Sequence, residues 1–138
     1  MFTAPDASIL VVDDISTNLK IVNGLLKPYN MEVDLRISGP DAIEAVKSKR
    51  YDMVFMDHGM PEMDGVETTG RIRTLDDEDP YYKNLPIVAL TAHTSADIRE
   101  MFLQNGFDDY MPKPINIAEL NSVLEKWIPK EKQTAAAV

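Results

Sequence analysis

Apolar residues fill positions 9–12, 53–56 and 87–90 almost without a break, the pattern of strands covered on both faces. Positions 31–37 alternate instead: Met31, Val33, Leu35 and Ile37 take turns with charged residues, which predicts a strand nearer a sheet edge. A fifth strand over 107–111 is weaker on pattern alone. Helical periods lie between these runs. Ile15, Leu19, Val22, Leu26 and Tyr29 recur at steps of three and four and mark one buried helix face. Gly24 interrupts that helix at ~1 kcal/mol relative to Ala, so packing must carry it. Ser38 is placed to cap a helix from Gly39, with Asp41 in its first turn. Val66, Thr69 and Ile72 predict a helix over 65–75, with Asp64 as its cap. Ile98, Met101 and Phe102 predict another over 94–105, stopped by Gly106. Asn116-Ile117-Ala118-Glu119 reads as a capping box ahead of a face of Ile117, Leu120, Val123, Leu124 and Trp127, ended by Pro129.

Strands and helices that alternate at this spacing mean parallel strands joined by right-handed helical crossovers. The predicted architecture is α/β: a doubly wound parallel sheet of five strands with five helices. The domain is drawn at 8–129, with 1–7 as an N-terminal linker and 130–138 as a tail without a packing face. Residues 76–84, acidic and broken by Pro80, read as a solvated surface loop.

Composition narrows the function classes. The 138 residues suit one core, and 14 basic against 23 acidic residues give a net charge of −9. A pI near 4.6 argues against direct nucleic-acid or anionic-membrane binding, which needs a basic footprint. No apolar run approaches the ~18 residues of a membrane helix, and the start does not read as a secretory signal. With no cysteine, disulfides, thiolate catalysis and Cys-bound zinc are excluded, and a reducing, cytoplasmic setting is expected.

Ligands of open parallel sheets bind outside the carboxyl ends of the strands. The predicted first strand ends in Asp13-Asp14, the third in Asp57, the fourth in Thr91, and Lys113 lies just beyond the fifth. Carboxylates ~4 Å apart repel by ~4 kcal/mol at an effective dielectric of 20, so three together call for a cation. Mg²⁺, with its hard oxygen ligands and its habit of completing its shell with phosphate, answers that need. Thr91 adds a hydroxyl and Lys113 a positive charge, both suited to a phosphoryl group, and an Asp can serve as nucleophile.

The segments Val11-Val12-Asp13-Asp14, Met56-Asp57-His58-Gly59-Met60-Pro61-Glu62-Met63-Asp64-Gly65, Ala89-Leu90-Thr91-Ala92 and Lys113-Pro114 together resemble the receiver domain of two-component response regulators. The similarity runs over roughly 8–128, and 4–10, 56–58 and 127–129 look most like receivers fused to hybrid sensor histidine kinases. The resemblance implies a flavodoxin-like strand order 2-1-3-4-5 and a place in a phosphorelay. It implies Asp57 as phosphoacceptor from a phosphohistidine on a histidine kinase or histidine phosphotransfer partner. Asp14 would ligate Mg²⁺ directly, Asp13 through water, and the Gly59 carbonyl would add a ligand. Thr91 and Lys113 would hold the phosphoryl oxygens, and Pro114 would follow a cis bond. Tyr110 would be the aromatic switch, moving inward as Thr91 is drawn to the phosphate. The helix from Thr94, the last strand and the final helix would form the signalling face, through which some relatives dimerise on phosphorylation. Such a module catalyses only its own phosphorylation and dephosphorylation. Gly59 departs from the larger side chain usual there; with His93, two beyond Thr91, it is expected to tune phosphoryl lifetime.

Plainer readings exist for each residue. Asp13 or Asp14 could cap a helix, Asp57 a turn, Thr91 a strand end, and Lys113 could be surface charge. Jointly these need four coincidences on one edge. His58 and His93 lack a metal-ligand pattern. An Mg²⁺-dependent phosphatase of the haloacid dehalogenase type needs an Asp where Gly59 stands. A flavodoxin-like cofactor binder needs a phosphate-cradling loop where Asp13-Asp14 stand.

Overall fold

A computed structural model describes residues 2–135 of the chain. Period-two alternation decides which way each strand residue faces, and it builds a core on both sides of one sheet. The strands are β2 (Ser8–Val12), β3 (Glu32–Arg36), β4 (Met53–Asp57), β5 (Ile87–Thr91) and β6 (Asp109–Pro112), ordered β3-β2-β4-β5-β6 and all parallel. Counted within this sheet, that is the expected 2-1-3-4-5. Every residue of β4 and β5 is buried, as their unbroken apolar runs require, whereas β3 at the edge is partly exposed along its length.

Ile9, Val11, Phe55, Val88 and Leu90 face α1 (Ser16–Leu26) and α6 (Ile117–Trp127), meeting Leu19, Val22, Leu26, Leu120 and Leu124. Leu10, Val12, Val54, Met56, Ile87 and Ala89 face α2 (Gly39–Ser48), α3 (Gly65–Arg73) and α5 (Ala96–Gln104). Side-chain caps open four of these helices: Ser38, Asp64, Ser95 and Asn116 each accept a first-turn backbone N–H. Gly106, at φ 93°, supplies the left-handed turn that ends α5. Arg73, at the end of α3, is largely buried and donates to the carbonyl oxygens of Tyr82, Leu85 and Gly106 and to Asp108. It thus ties the starts of β5 and β6 together.

Three expectations change. Ile15 and Ile117 leave their predicted buried faces, because Ile15 caps α1 and Ile117 opens α6, each ahead of the first packed turn. The acidic segment is not all loop: α4 (Tyr81–Asn84) makes six α-helices among the described residues rather than five, with Tyr82 buried. The Tyr81 hydroxyl holds it there, donating to the Tyr51 carbonyl and accepting from the Tyr51 N–H. The segments drawn as linker and tail also pack on the domain. β1 (Phe2–Thr3) pairs antiparallel with β7 (Thr134–Ala135), Phe2, Ala4 and Ala7 are buried, and Lys132 bonds Asp52. Residues 1 and 136–138 of those segments lie outside the described residues. Among the described residues, no helix is long and apolar enough to cross a membrane.

Candidate functional site

Parallel strands carry their last residues to one edge, and four of the five deliver chemistry there. The Asp13 N–H donates to the Arg36 carbonyl, which anchors the turn after β2 and turns the Asp13 carboxylate toward the neighbouring strand ends. One carboxylate oxygen from each of Asp13, Asp14 and Asp57 falls within 4.8 Å of the others. Asp13 and Asp57 are buried and Asp14 is more open. Lys113 reaches over from the end of β6, placing Nζ 2.7 Å from Asp57 Oδ1 and 3.2 Å from Asp13 Oδ2. The peptide bond between Lys113 and Pro114 is cis, as expected.

The ammonium balances part of this charge. Burial by itself lowers the Lys113 pKa, but its hydrogen bond to Asp57 and the charges of Asp57 and Asp13 outweigh that and hold it above the ordinary lysine value. Lys113 is therefore positive at every physiological pH. Its side chain is 26% exposed, against 2% for Asp13 and 7% for Asp57, so it screens two carboxylates that water reaches poorly.

Around Asp57 lies a cleft of about 330 Å³ lined by Asp14, Gly59, Thr91, His93 and Lys113 among others. Thr91 is buried, and its hydroxyl oxygen accepts from the His93 N–H at 3.0 Å. Nothing lies within 4 Å of where a Gly59 Cβ would point, so the cleft is open on that side. Gly65 was not singled out from sequence, yet it shapes the site: a Cβ there would stand 2.3 Å from the Asp57 carbonyl oxygen. Only glycine lets α3 begin so close behind Asp57, where the Gly65 N–H donates to the His58 carbonyl. His58 packs edge-on against Phe102 with ring centroids 5.0 Å apart and, among the described residues, joins no ligand cluster. Tyr110 is not in the cleft. It borders a separate depression with Thr94, Asp109 and Glu119, and its hydroxyl accepts from Arg99.

Clustered hard oxygen donors suit Mg²⁺ rather than a softer metal. Two carboxylates that are buried, a third at the mouth and one ammonium leave the cleft with negative charge to neutralise, so the residues present fit such an ion.

The same strand ends are matched by a known family: residues 9–125 fit the response regulator receiver domain. The chain belongs to that family. This receiver is 43% identical over 119 residues to the sensor protein GacS of Pseudomonas syringae pv. syringae. It is 35% identical over 122 residues to the signal transduction histidine-protein kinase BarA of Escherichia coli strain K12. These matches cover 86% and 88% of the chain but 13% of either relative, so the chain spans a small part of their length. Among solved structures, the receiver domain of sensor histidine kinase PA1611 from Pseudomonas aeruginosa PAO1, which has magnesium in its active-site cleft, matches at TM-score 0.78 and 34% identity, over 88% of this chain and 97% of that one. A chain from the Saccharomyces cerevisiae co-crystal of the histidine phosphotransfer protein Ypd1 with the Ssk1 receiver domain matches at TM-score 0.84 and 26% identity, over 96% and 94%.

Proposed function

We propose that this receiver takes a phosphoryl group onto Asp57 from a phosphohistidine of a histidine kinase or histidine phosphotransfer partner, as one module of a hybrid sensor histidine kinase in the cytoplasm. The observation that carries this is the meeting of three carboxylates within 4.8 Å under the Lys113 ammonium. An Asp57 carboxylate oxygen attacks phosphorus in line. The new bond is O–P, the bond broken is N–P, and its electron pair returns to the partner imidazole, which takes up a proton. Asp14, Asp13 through water, Asp57 and the Gly59 carbonyl would hold Mg²⁺, whose chemistry is to neutralise charge on the transferring oxygens. Lys113 pairs with one phosphoryl oxygen and the Thr91 hydroxyl donates to another. Both groups already stand in the cleft, so little reorganisation is needed.

Leaving the His93 N–H for the phosphoryl group frees Thr91 from its own loop, and Tyr110 follows inward. That change remodels the face of α5, β6 and α6, where two phosphorylated copies would also pair. The open side at Gly59 admits water to the acyl phosphate, and His93 borders the same space. Gly59→Met and His93→Ala are therefore expected to change the dephosphorylation rate; unchanged rates in both remove that role. The module turns over no separate substrate.

Incubation with Mg²⁺ and acetyl phosphate, followed by intact-protein mass, tests the main reading. One added phosphoryl group is expected, dependent on Mg²⁺ and absent in Asp57→Asn. No adduct with the donor consumed points to hydrolysis of small phosphate esters instead. No adduct and no consumption leave a docking domain without phosphoacceptor chemistry.

A further inference from the structure

Tyr110 is held by neighbours that lie outside the phosphoryl cleft. Its hydroxyl accepts from Nη2 of Arg99 at 2.9 Å and from Nε at 3.3 Å, and the guanidinium stands 5.3 Å from the ring centroid. Its backbone N–H donates to Asp109 Oδ1 at 2.8 Å, and Asp109 Oδ2 accepts from the Trp127 indole at 3.0 Å. One run of contacts thus joins α5, β6 and α6. The choice made by Arg99 is informative, because a guanidinium fork ordinarily takes a carboxylate. Asp97, Glu100 and Asp109 are all near in sequence or space, yet among the described residues Arg99 forms no salt bridge. It turns both donors on a phenol instead.

Arg99 is also connected to the cleft. Thr91 accepts from the His93 N–H, and the short segment after His93 leads directly into α5, which carries Arg99. β6 pairs in parallel with β5, Tyr110 opposite Ala89 and Pro112 opposite Thr91. A Thr91 hydroxyl that turns toward a phosphoryl group therefore disturbs the segment on which Arg99 depends, and Tyr110 cannot turn inward without leaving the guanidinium.

We propose that Arg99 is a positioning residue that latches Tyr110 outward in the unphosphorylated receiver and so sets the phosphoryl occupancy at which the switch moves. This rests on the reading of Asp57 as acceptor and Tyr110 as switch. Contacts made in one conformation alone subtract from the affinity of any ligand that favours the other. For an exposed hydrogen bond with a cation–π contact, that subtraction is about three- to tenfold.

The test is a titration of beryllofluoride, a phosphoryl mimic, in the presence of Mg²⁺. Trp127, the single tryptophan, reports it by fluorescence because its indole is bonded beside Tyr110. Arg99→Ala is expected to tighten beryllofluoride binding about three- to tenfold, with Arg99→Lys in between, since an ammonium keeps the charge and loses the fork. In a Tyr110→Phe background, the gain from Arg99→Ala should shrink toward the cation–π remainder. Purely structural damage would lower the urea midpoint without tightening binding. Unchanged or weaker binding by Arg99→Ala at a normal midpoint overturns the latch, as does an undiminished gain in Tyr110→Phe. Should wild type show no Asp57-dependent binding at all, the acceptor reading fails and the latch with it.

Discussion

Exchanging Lys113 for Met tests the electrostatics of the cleft more sharply than removing the acceptor itself. At an effective dielectric of 20, the ammonium 2.7 Å from Asp57 and 3.2 Å from Asp13 attracts them by about 6 and about 5 kcal/mol. Each pair of carboxylate oxygens within 4.8 Å repels by at least about 3.5 kcal/mol. Asp57 is thus attracted by one neighbour and repelled by two, and the two effects nearly cancel. Asp57→Asn is expected to change stability by less than about 1 kcal/mol without metal. Lys113→Met removes attraction alone and leaves two buried carboxylates side by side, which costs about 3 kcal/mol, at the low end for a broken buried pair because Asp14 opens to water. The double variant should regain at least half of that loss. Urea unfolding followed by Trp127 fluorescence, in chelator and then in millimolar Mg²⁺, reads all four proteins. Mg²⁺ should stabilise Lys113→Met more than wild type, since the ion replaces the missing charge. A loss above about 2 kcal/mol for Asp57→Asn, with one below about 1 kcal/mol for Lys113→Met, would refute this charge balance.

Three further outcomes follow from other parts of the molecule. The Thr69 hydroxyl is buried without a hydrogen-bond partner among the described residues, so Thr69→Val should raise stability by up to about 1 kcal/mol in urea melts. Burial first, and the hydrogen bond to Asp34 second, push the Tyr51 hydroxyl up to about 12, and burial does the same for Tyr81. A pKa raised by folding gives stability that is complete below the unfolded value near ~10 and is lost as pH climbs through about 12. Urea midpoints should therefore fall between about pH 10 and about pH 12, and fall less in Tyr51→Phe. Cutting the chain to 8–129 removes buried Phe2, the β1–β7 pairing and the Lys132 partner of Asp52; it should cost about 3 kcal/mol, measured against the full chain.

The sheet was legible because its signal is local and repeated. Residues 53–56 and 87–90 can be buried on both faces only in the middle of a parallel sheet, and that is where they lie. The convergence of Asp13, Asp14, Asp57, Thr91 and Lys113 followed from strand direction alone, since each stands at or just past a strand's carboxyl end. What escaped depends on partners distant in sequence. Phe2 has no period to announce it; its burial comes from the Tyr29 ring, 5.1 Å away, and from a strand more than a hundred residues later. Tyr81 and Tyr82 sit among acidic residues and look solvated, yet a carbonyl and an N–H of Tyr51 meet the Tyr81 hydroxyl. Arg99 reads as one more surface charge on α5 until Tyr110 is placed beside it. Gly65 looks like an ordinary helix start, and only its 2.3 Å approach to the Asp57 carbonyl reveals the constraint.

Fold alone leaves several chemistries open on this sheet, and the turn after β2 is where they separate. A loop that cradles a phosphate offers backbone N–H groups to the anion. Here one such N–H, that of Ile15, is already taken by Asp13 Oδ1 at 2.9 Å, and two carboxylates stand where a phosphate would come. An Asp-nucleophile phosphatase places a second carboxylate two residues after the first; Gly59 stands there instead, with open space around it. Gly59 offers no carboxyl group to protonate a leaving group as that second carboxylate does, so this position favours a donor whose leaving group departs readily. A phosphohistidine meets that condition because its nitrogen is a good leaving group, whereas a simple alkyl phosphate ester does not. The lack of a carboxylate at Gly59 and the Lys113 ammonium on the Asp57 carboxylate both agree with the phosphohistidine donor proposed above.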